Sequence, residues 1–106
     1  MVKRGDVWLV NLDPAMGSEI RKSRPCVVLT PHEMHEYLRT VIVAPMTTKS
    51  QPAPFRVPLS HGGKKGLILL DQIRSVDKAR LPRKLGSVSA KTLGIVLNTL
   101  QEVFAK

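Results

Sequence analysis

Arg4-Gly5-Asp6-Val7-Trp8-Leu9-Val10-Asn11-Leu12-Asp13-Pro14, followed by Gly17-Ser18-Glu19 and Arg24-Pro25-Cys26-Val27-Val28-Leu29, is the stretch whose reading decides the fold. Val7 to Leu12 is a short apolar run with β-branched and aromatic residues, stopped by an Asp-Pro turn signal, and Cys26 to Leu29 is a second such run. Both read as strands. The loop between them, Asp13 to Ser23, carries Glu19 and the cations Arg21 and Lys22, and Arg24 emerges where the loop meets the second strand. Loops fixed between rigid strands are where reactive groups tend to sit.

Further runs at Val41 to Ala44, Phe55 to Leu59, Leu67 to Leu70 and Ile73 to Val76 extend the pattern, separated by segments rich in Pro, Gly and Ser. Gly62-Gly63 in Gly62 to Gly66 predicts a hairpin turn. Thr30-Pro31-His32-Glu33 has the form of a capping box, with Thr30 as N-cap and a short helix ending before Thr40. Ser89 is placed to cap a longer helix in which Leu93, Val96, Leu97, Leu100, Val103 and Phe104 recur at helical spacing. The expected architecture is mainly β with α: a small, strongly bent antiparallel sheet or barrel, a short helix after the second strand and an amphipathic C-terminal helix, with Trp8 and Phe104 in the core.

At 106 residues the chain is expected to form one domain over residues 1–106. Seventeen Lys and Arg against eight Asp and Glu give a net charge of +9, which points to an anionic partner. Eight of those cations fall between Lys64 and Lys91, a basic half that is either an electrostatic footprint for nucleic acid or a solvated face. Cys26 is the only cysteine, so there is no intramolecular disulfide and no Cys-rich metal site. The apolar stretch after Lys3 and Arg4 is too short for a signal peptide or membrane span. These features predict a soluble, cytoplasmic protein with no membrane partner.

Several residues admit two readings. Arg24 is either a fixed fork for a phosphate or the cation of a structural ion pair with Glu19 or Asp13. Thr47 offers a hydroxyl and neighbouring backbone N–H groups to phosphate oxygens, or simply ends a strand. Glu19 either orients Arg24 or takes a proton. His32-Glu33-Met34-His35 lacks the four-residue histidine spacing of a zinc-protease helix and reads as a surface helix with two ordinary histidines. His61 is a lone loop histidine with no assigned role.

The order Gly5-Asp6, Asp13-Pro14, Gly17-Ser18-Glu19, Arg24-Pro25, then Val41-Ile42-Val43-Ala44-Pro45-Met46-Thr47-Thr48 and Asp71-Gln72-Ile73-Arg74, resembles the MazF/PemK family of toxin endoribonucleases over about Arg4 to Phe104. The resemblance implies an SH3-like, CcdB/PemK-like antiparallel β-barrel acting as a homodimer. It implies the toxin of a type II toxin-antitoxin system, a sequence-specific endoribonuclease that needs no metal or other cofactor. Such an enzyme cuts single-stranded RNA, mainly mRNA, by attack of a 2′-hydroxyl, leaving 2′,3′-cyclic phosphate and 5′-hydroxyl ends. The matched catalytic positions are Arg24, Thr47 and Glu19. Ser18, Arg21, Lys22, Thr48, Lys49, Gln72, Arg74, Lys78 and Arg80 form the expected RNA-binding set, and a cognate acidic antitoxin is the expected protein partner. This chain departs from the family in the more basic Ile20-Arg21-Lys22-Ser23. It also has Ser18 and Leu69 where one branch has His and Arg, so that branch's catalytic scheme does not carry over. The alternatives are a CcdB-like toxin that binds DNA gyrase without cutting RNA, and a passive RNA-binding barrel, the latter weakened by so few aromatic residues.

Overall fold

Seven strands and two helices follow one another in a computed structural model that describes all residues from Met1 to Lys106. They are β1 (Asp6–Asn11), β2 (Ser23–Val28), α1 (His32–His35), β3 (Thr40–Thr47), β4 (Arg56–His61), β5 (Lys64–Leu69), β6 (Arg74–Asp77), β7 (Arg83–Ser87) and α2 (Ala90–Val103). Every strand pairing is antiparallel, in the order β4-β5-β3-β2-β1-β7, with β6 paired to β3 beside this path. The expected antiparallel sheet with a short helix after the second strand and a long C-terminal one is therefore the observed architecture.

β3 organises the bend. Its first half, Thr40 to Val43, pairs with β6, and its last residues, Met46 and Thr47, pair with β5. Pro45, which has no N–H to give to a ladder, stands where β3 changes partner. The apolar runs of β1, β2 and β3 lack polar alternation because both faces of this central sheet are covered. On one face Val7, Val27, Ala44, Met46 and Ile68 pack with Val96 of α2. On the other Val10, Cys26, Val28, Val43 and Val76 pack with Leu12 and Leu81.

The β4–β5 hairpin turns at Gly62 and Gly63, with His61 opposite Lys64. Both glycines have positive φ, 59° and 76°, as a tight hairpin of this hand requires. Ser89 caps α2, its hydroxyl accepting from the Thr92 N–H at 3.1 Å.

Several local expectations change. β7 is a strand that the pattern did not reveal: Arg83-Lys84-Leu85-Gly86-Ser87 is charged and glycine-containing, as suits the end of a sheet, and it forms only by pairing with β1. Thr30 is not a side-chain cap of α1. It is buried, its hydroxyl 2.7 Å from His35 Nε2 and accepting from the Ile42 N–H. His35 is accordingly no surface residue, because its other ring nitrogen meets the Val2 carbonyl at 3.0 Å. Trp8 is half-buried, its indole N–H donating to Asp6, and Phe104, the cap residue at the end of α2, is 70% exposed and not in the core.

Candidate active site

The loop that joins β1 to β2 is held by its own carboxylates. Asp13 Oδ1 accepts from the Lys22 N–H at 3.0 Å, and Leu12 N–H donates to the Lys22 carbonyl, which closes the loop at its mouth. Glu19 accepts from the Met16 N–H at 2.6 Å, folding the Gly17-Ser18-Glu19 turn on itself. The far side of the loop is tied to the body of the protein by Gln72, whose side-chain carbonyl accepts from the Ile20 N–H at 2.8 Å.

Arg24 leaves this loop at the start of β2, and its Nε donates to the Arg21 carbonyl at 3.1 Å. The ion pairs of the chain are His32–Glu36, Arg56–Asp71 and Lys84–Asp6, so neither Glu19 nor Asp13 neutralises Arg24. Instead Arg24 opens onto a cleft of about 330 Å³, whose walls also hold Thr47 and Thr48 from the end of β3. Thr47 is buried and its hydroxyl accepts from the Lys49 N–H at 3.2 Å, a contact that leaves the hydroxyl proton free to be donated. The two candidates, one from the start of β2 and one from the end of the antiparallel β3, thus lie at the same end of this pair and share one wall of one cavity.

The opposite wall is the β4–β5 hairpin. Leu59 and His61 of β4 are cross-strand partners of Gly66 and Lys64 of β5, and all four line the cleft. Gly66 is essential to its shape: a Cβ there would lie 2.8 Å from the Thr47 carbonyl oxygen and 3.7 Å from the Thr48 methyl. The cleft therefore carries two fixed cations, one imidazole and two hydroxyls, and no carboxylate lines it. An anion with several oxygen atoms is the ligand class that this set suits.

Other residues expected in the site are placed elsewhere. Glu19 is outside the cleft, on the loop that buttresses Arg24. Ser18, Arg21 and Lys22 are exposed on that loop, and the Lys49 side chain is exposed beyond β3. Arg74 donates to the Leu12 carbonyl at 2.9 Å, Arg80 to the Asn11 and Asp13 carbonyls, and Lys78 to the His35 carbonyl. These three cations fasten the ends of β1 and α1 without entering the cleft, and Arg74 and Arg80 add positive charge next to the loop. His61 and Lys64 are the site residues that sequence reasoning missed. The signal was present: two residues flanking a two-residue hairpin turn must lie opposite each other on one face.

Burial pushes the Cys26 thiol up to about 12, with the nearby Arg74 charge acting in the opposite direction. It is a core atom and no nucleophile. Nowhere do three His, Cys, Asp or Glu side chains converge as a set of metal ligands.

Comparison with known proteins identifies the family and the fold. Residues 3–104 match the profile described as PemK-like, MazF-like toxin of type II toxin-antitoxin system. The chain is 39% identical, over 94% of its length and 88% of the relative's, to an endoribonuclease MazF of Staphylococcus saprophyticus. The fold is similar to the crystal structure of MazF from Deinococcus radiodurans, with a TM-score of 0.87, 26% identity and coverage of 99% of this chain and 97% of that one. It is also similar to the toxin chain matched in a crystal structure of MazE-MazF from the same organism, with a TM-score of 0.76, 27% identity and coverage of 96% and 94%.

Proposed function

The chain belongs to the PemK-like, MazF-like family of type II toxins, and from that membership we infer that the Arg24–Thr47 cleft is where it cuts single-stranded RNA. It is a toxin endoribonuclease of the MazF type. The observation that carries the assignment of the cleft is an Arg24 side chain with no carboxylate partner, sharing one cavity with the Thr47 hydroxyl in a chain of net charge +9.

The chemistry follows from what these groups can and cannot do. In the proposed reaction the 2′-oxygen of one nucleotide attacks its own 3′-phosphorus, and negative charge grows on the non-bridging oxygens as the 5′-oxygen departs. The products are a 2′,3′-cyclic phosphate and a 5′-hydroxyl. A guanidinium is charged at every working pH and presents paired N–H donors, so Arg24 acts by holding those oxygens. Donors aligned before the reaction begins are each worth about 2.7–4 kcal/mol of barrier at comparable sites. Thr47 supplies a further donor from the same wall of the cleft. Glu19 acts at one remove: by folding the loop it fixes Arg21, whose carbonyl fixes Arg24.

The open basic surface beyond the cleft, with Arg21, Lys22, Thr48 and Lys49, is where flanking nucleotides lie. The same surface suits the acidic, flexible segment of a cognate antitoxin, which the MazE-MazF structure from Deinococcus radiodurans supports as the type of partner. A homodimer is the expected assembly. No helix is long and apolar enough to cross a membrane, and the proposed site of action is the cytoplasm, where mRNA is found.

The test is incubation of purified protein with long RNA of mixed sequence in EDTA, mapping cut sites and end groups beside Arg24→Ala. Discrete cuts with cyclic-phosphate ends, reduced about 100-fold or more in the variant, are expected. Intact RNA, in the face of growth arrest by the expressed protein, would instead favour a CcdB-like action on gyrase.

A further inference from the structure

We propose that His61 is the general base of the cleavage reaction, taking the proton from the attacking 2′-hydroxyl; this rests on the reading of the cleft as an RNA-cutting site.

The reaction needs a group that can accept a proton at the 2′-oxygen, and the cleft offers a short choice. Arg24 and Lys64 are cations and only donate. Glu19, the one carboxylate close in sequence to Arg24, lies outside the cleft and is engaged by the Met16 N–H. His61 lines the cleft itself, and histidine is the side chain whose charge ordinarily changes between about pH 5 and 8. The other two histidines are committed: both ring nitrogens of His35 meet protein partners, and His32 pairs with Glu36.

The fold also fixes where the ring stands. His61 ends β4, its backbone paired with Lys64 across the tight turn. A Cβ built on Gly86 of β7 would fall 3.2 Å from His61 Cε1, so the ring lies directly on the β7 backbone. β4 and β7 are the two ends of the sheet order, and His61 bridges them as the barrel curls round. The ring is thus braced on one side by β7 and lines the same cleft as Arg24 and Thr47, the arrangement a base needs beside a phosphate-holding fork. The charged groups that share the cleft with it are cationic. Arg24 and Lys64 line the cleft, Lys65 is exposed on β5, Arg83 is exposed on β7, and Lys84 of β7 is held by Asp6 at 3.3 Å. On α2, which also packs on β4, Lys91 and Glu102 carry the charges and both are exposed.

In the step itself the neutral ring takes the O2′ proton while the O2′ electron pair forms the bond to phosphorus. The P–O5′ bond breaks with its pair leaving on O5′, which takes a proton from water. The imidazolium then returns its proton to solvent, so charge and atoms balance.

The experiment measures single-turnover cleavage of a short RNA containing one mapped cut site, between pH 5 and 9, by wild type, His61→Ala and His61→Gln. Both variants are expected to lose about 100- to 10,000-fold in rate. Binding of the same oligonucleotide with 2′-deoxyribose at the cut site should stay within about threefold of wild type. The wild-type rate should show an acid limb that the variants lack, and added imidazole should partly restore His61→Ala. An RNA with sulfur in place of the 5′-bridging oxygen separates acid from base: full rescue of His61→Ala by this better leaving group would overturn the assignment as base. Unchanged rates in a folded His61→Gln would overturn any role in proton transfer. Failure of wild type to cut any RNA would sink the nuclease reading first, before His61 is tested.

Discussion

Replacing Gly66 by Ala should damage this protein, while the same replacement at Gly94 should improve it, and the contrast follows from what each new methyl meets. At Gly66 the methyl carbon would sit 2.8 Å from the Thr47 carbonyl oxygen and 3.3 Å from its carbonyl carbon. Those are backbone atoms in a strand paired on both sides, so β3 and β5 must part. Overpacking of this kind costs about 1–3 kcal/mol, against a gain of about 0.4–1 from removing glycine's freedom in the unfolded chain, a net loss of roughly 1–2 kcal/mol. For a chain of this size that corresponds to a fall in Tm of roughly 5–10 °C. Gly94 lies exposed inside α2 with nothing within 4 Å of its built Cβ. There Ala should add about 0.8–1 kcal/mol and raise Tm by several degrees. Thermal denaturation at one fixed protein concentration, so that any dimerisation is held constant, reads both values. RNA cleavage supplies the second axis: Gly66→Ala displaces Thr47 and should lower the rate about tenfold or more, while Gly94→Ala leaves it unchanged. A Gly66→Ala protein as stable and as active as wild type would refute the claim that this glycine sets the approach of β5 to Thr47.

Gln72→Ala removes the acceptor for the Ile20 N–H and should loosen the β1–β2 loop; faster proteolysis within Met16 to Lys22 and a several-fold lower cleavage rate are expected, and an unchanged digestion pattern would count against the tether. Cys26 should resist thiol reagents in the native state and react once the chain is unfolded, because burial holds the thiol protonated up to about 12. Since this folded value lies above the ordinary one, the contribution to stability is complete below about pH 8.5 and is lost as pH rises toward the folded value, so Cys26→Ser or Cys26→Ala should flatten the alkaline loss of stability. The bidentate hydrogen bond from Arg56 holds the Asp71 carboxyl below its usual range. That contribution is present above the unfolded value near about pH 3.9 and disappears as pH falls through the folded one, so Asp71→Asn should lower stability at neutral pH slightly and weaken the acid dependence, as acid titration by circular dichroism would show.

The sequence alone determined the parts of this protein that depend on local chemistry. Runs such as Val41 to Ala44 read as strands, Gly62-Gly63 reads as a tight turn, and the apolar positions after Ser89 mark one side of a helix. The ordered blocks from Gly5 to Arg74 likewise placed the chain in its family. What it could not determine depends on partners distant in the chain. β7 has no pattern of its own and exists because β1 offers it a ladder. Thr30 has the form of a helix cap, but the arrival of His35 and of β3 gives its hydroxyl better partners. Arg74, Lys78 and Arg80 read as free cations until the fold brings carbonyls of β1, its following loop and α1 within reach. The cleft shows the division most clearly: Arg24 and Thr47 each had two readings in their local settings and were chosen by the family resemblance, whereas His61 joins them because β5 pairs with the end of β3 and carries β4 alongside. A side chain's charge and hydrogen-bonding capacity are written in its own residue, but which of those capacities remains unspent is settled by whatever the folded chain packs against it.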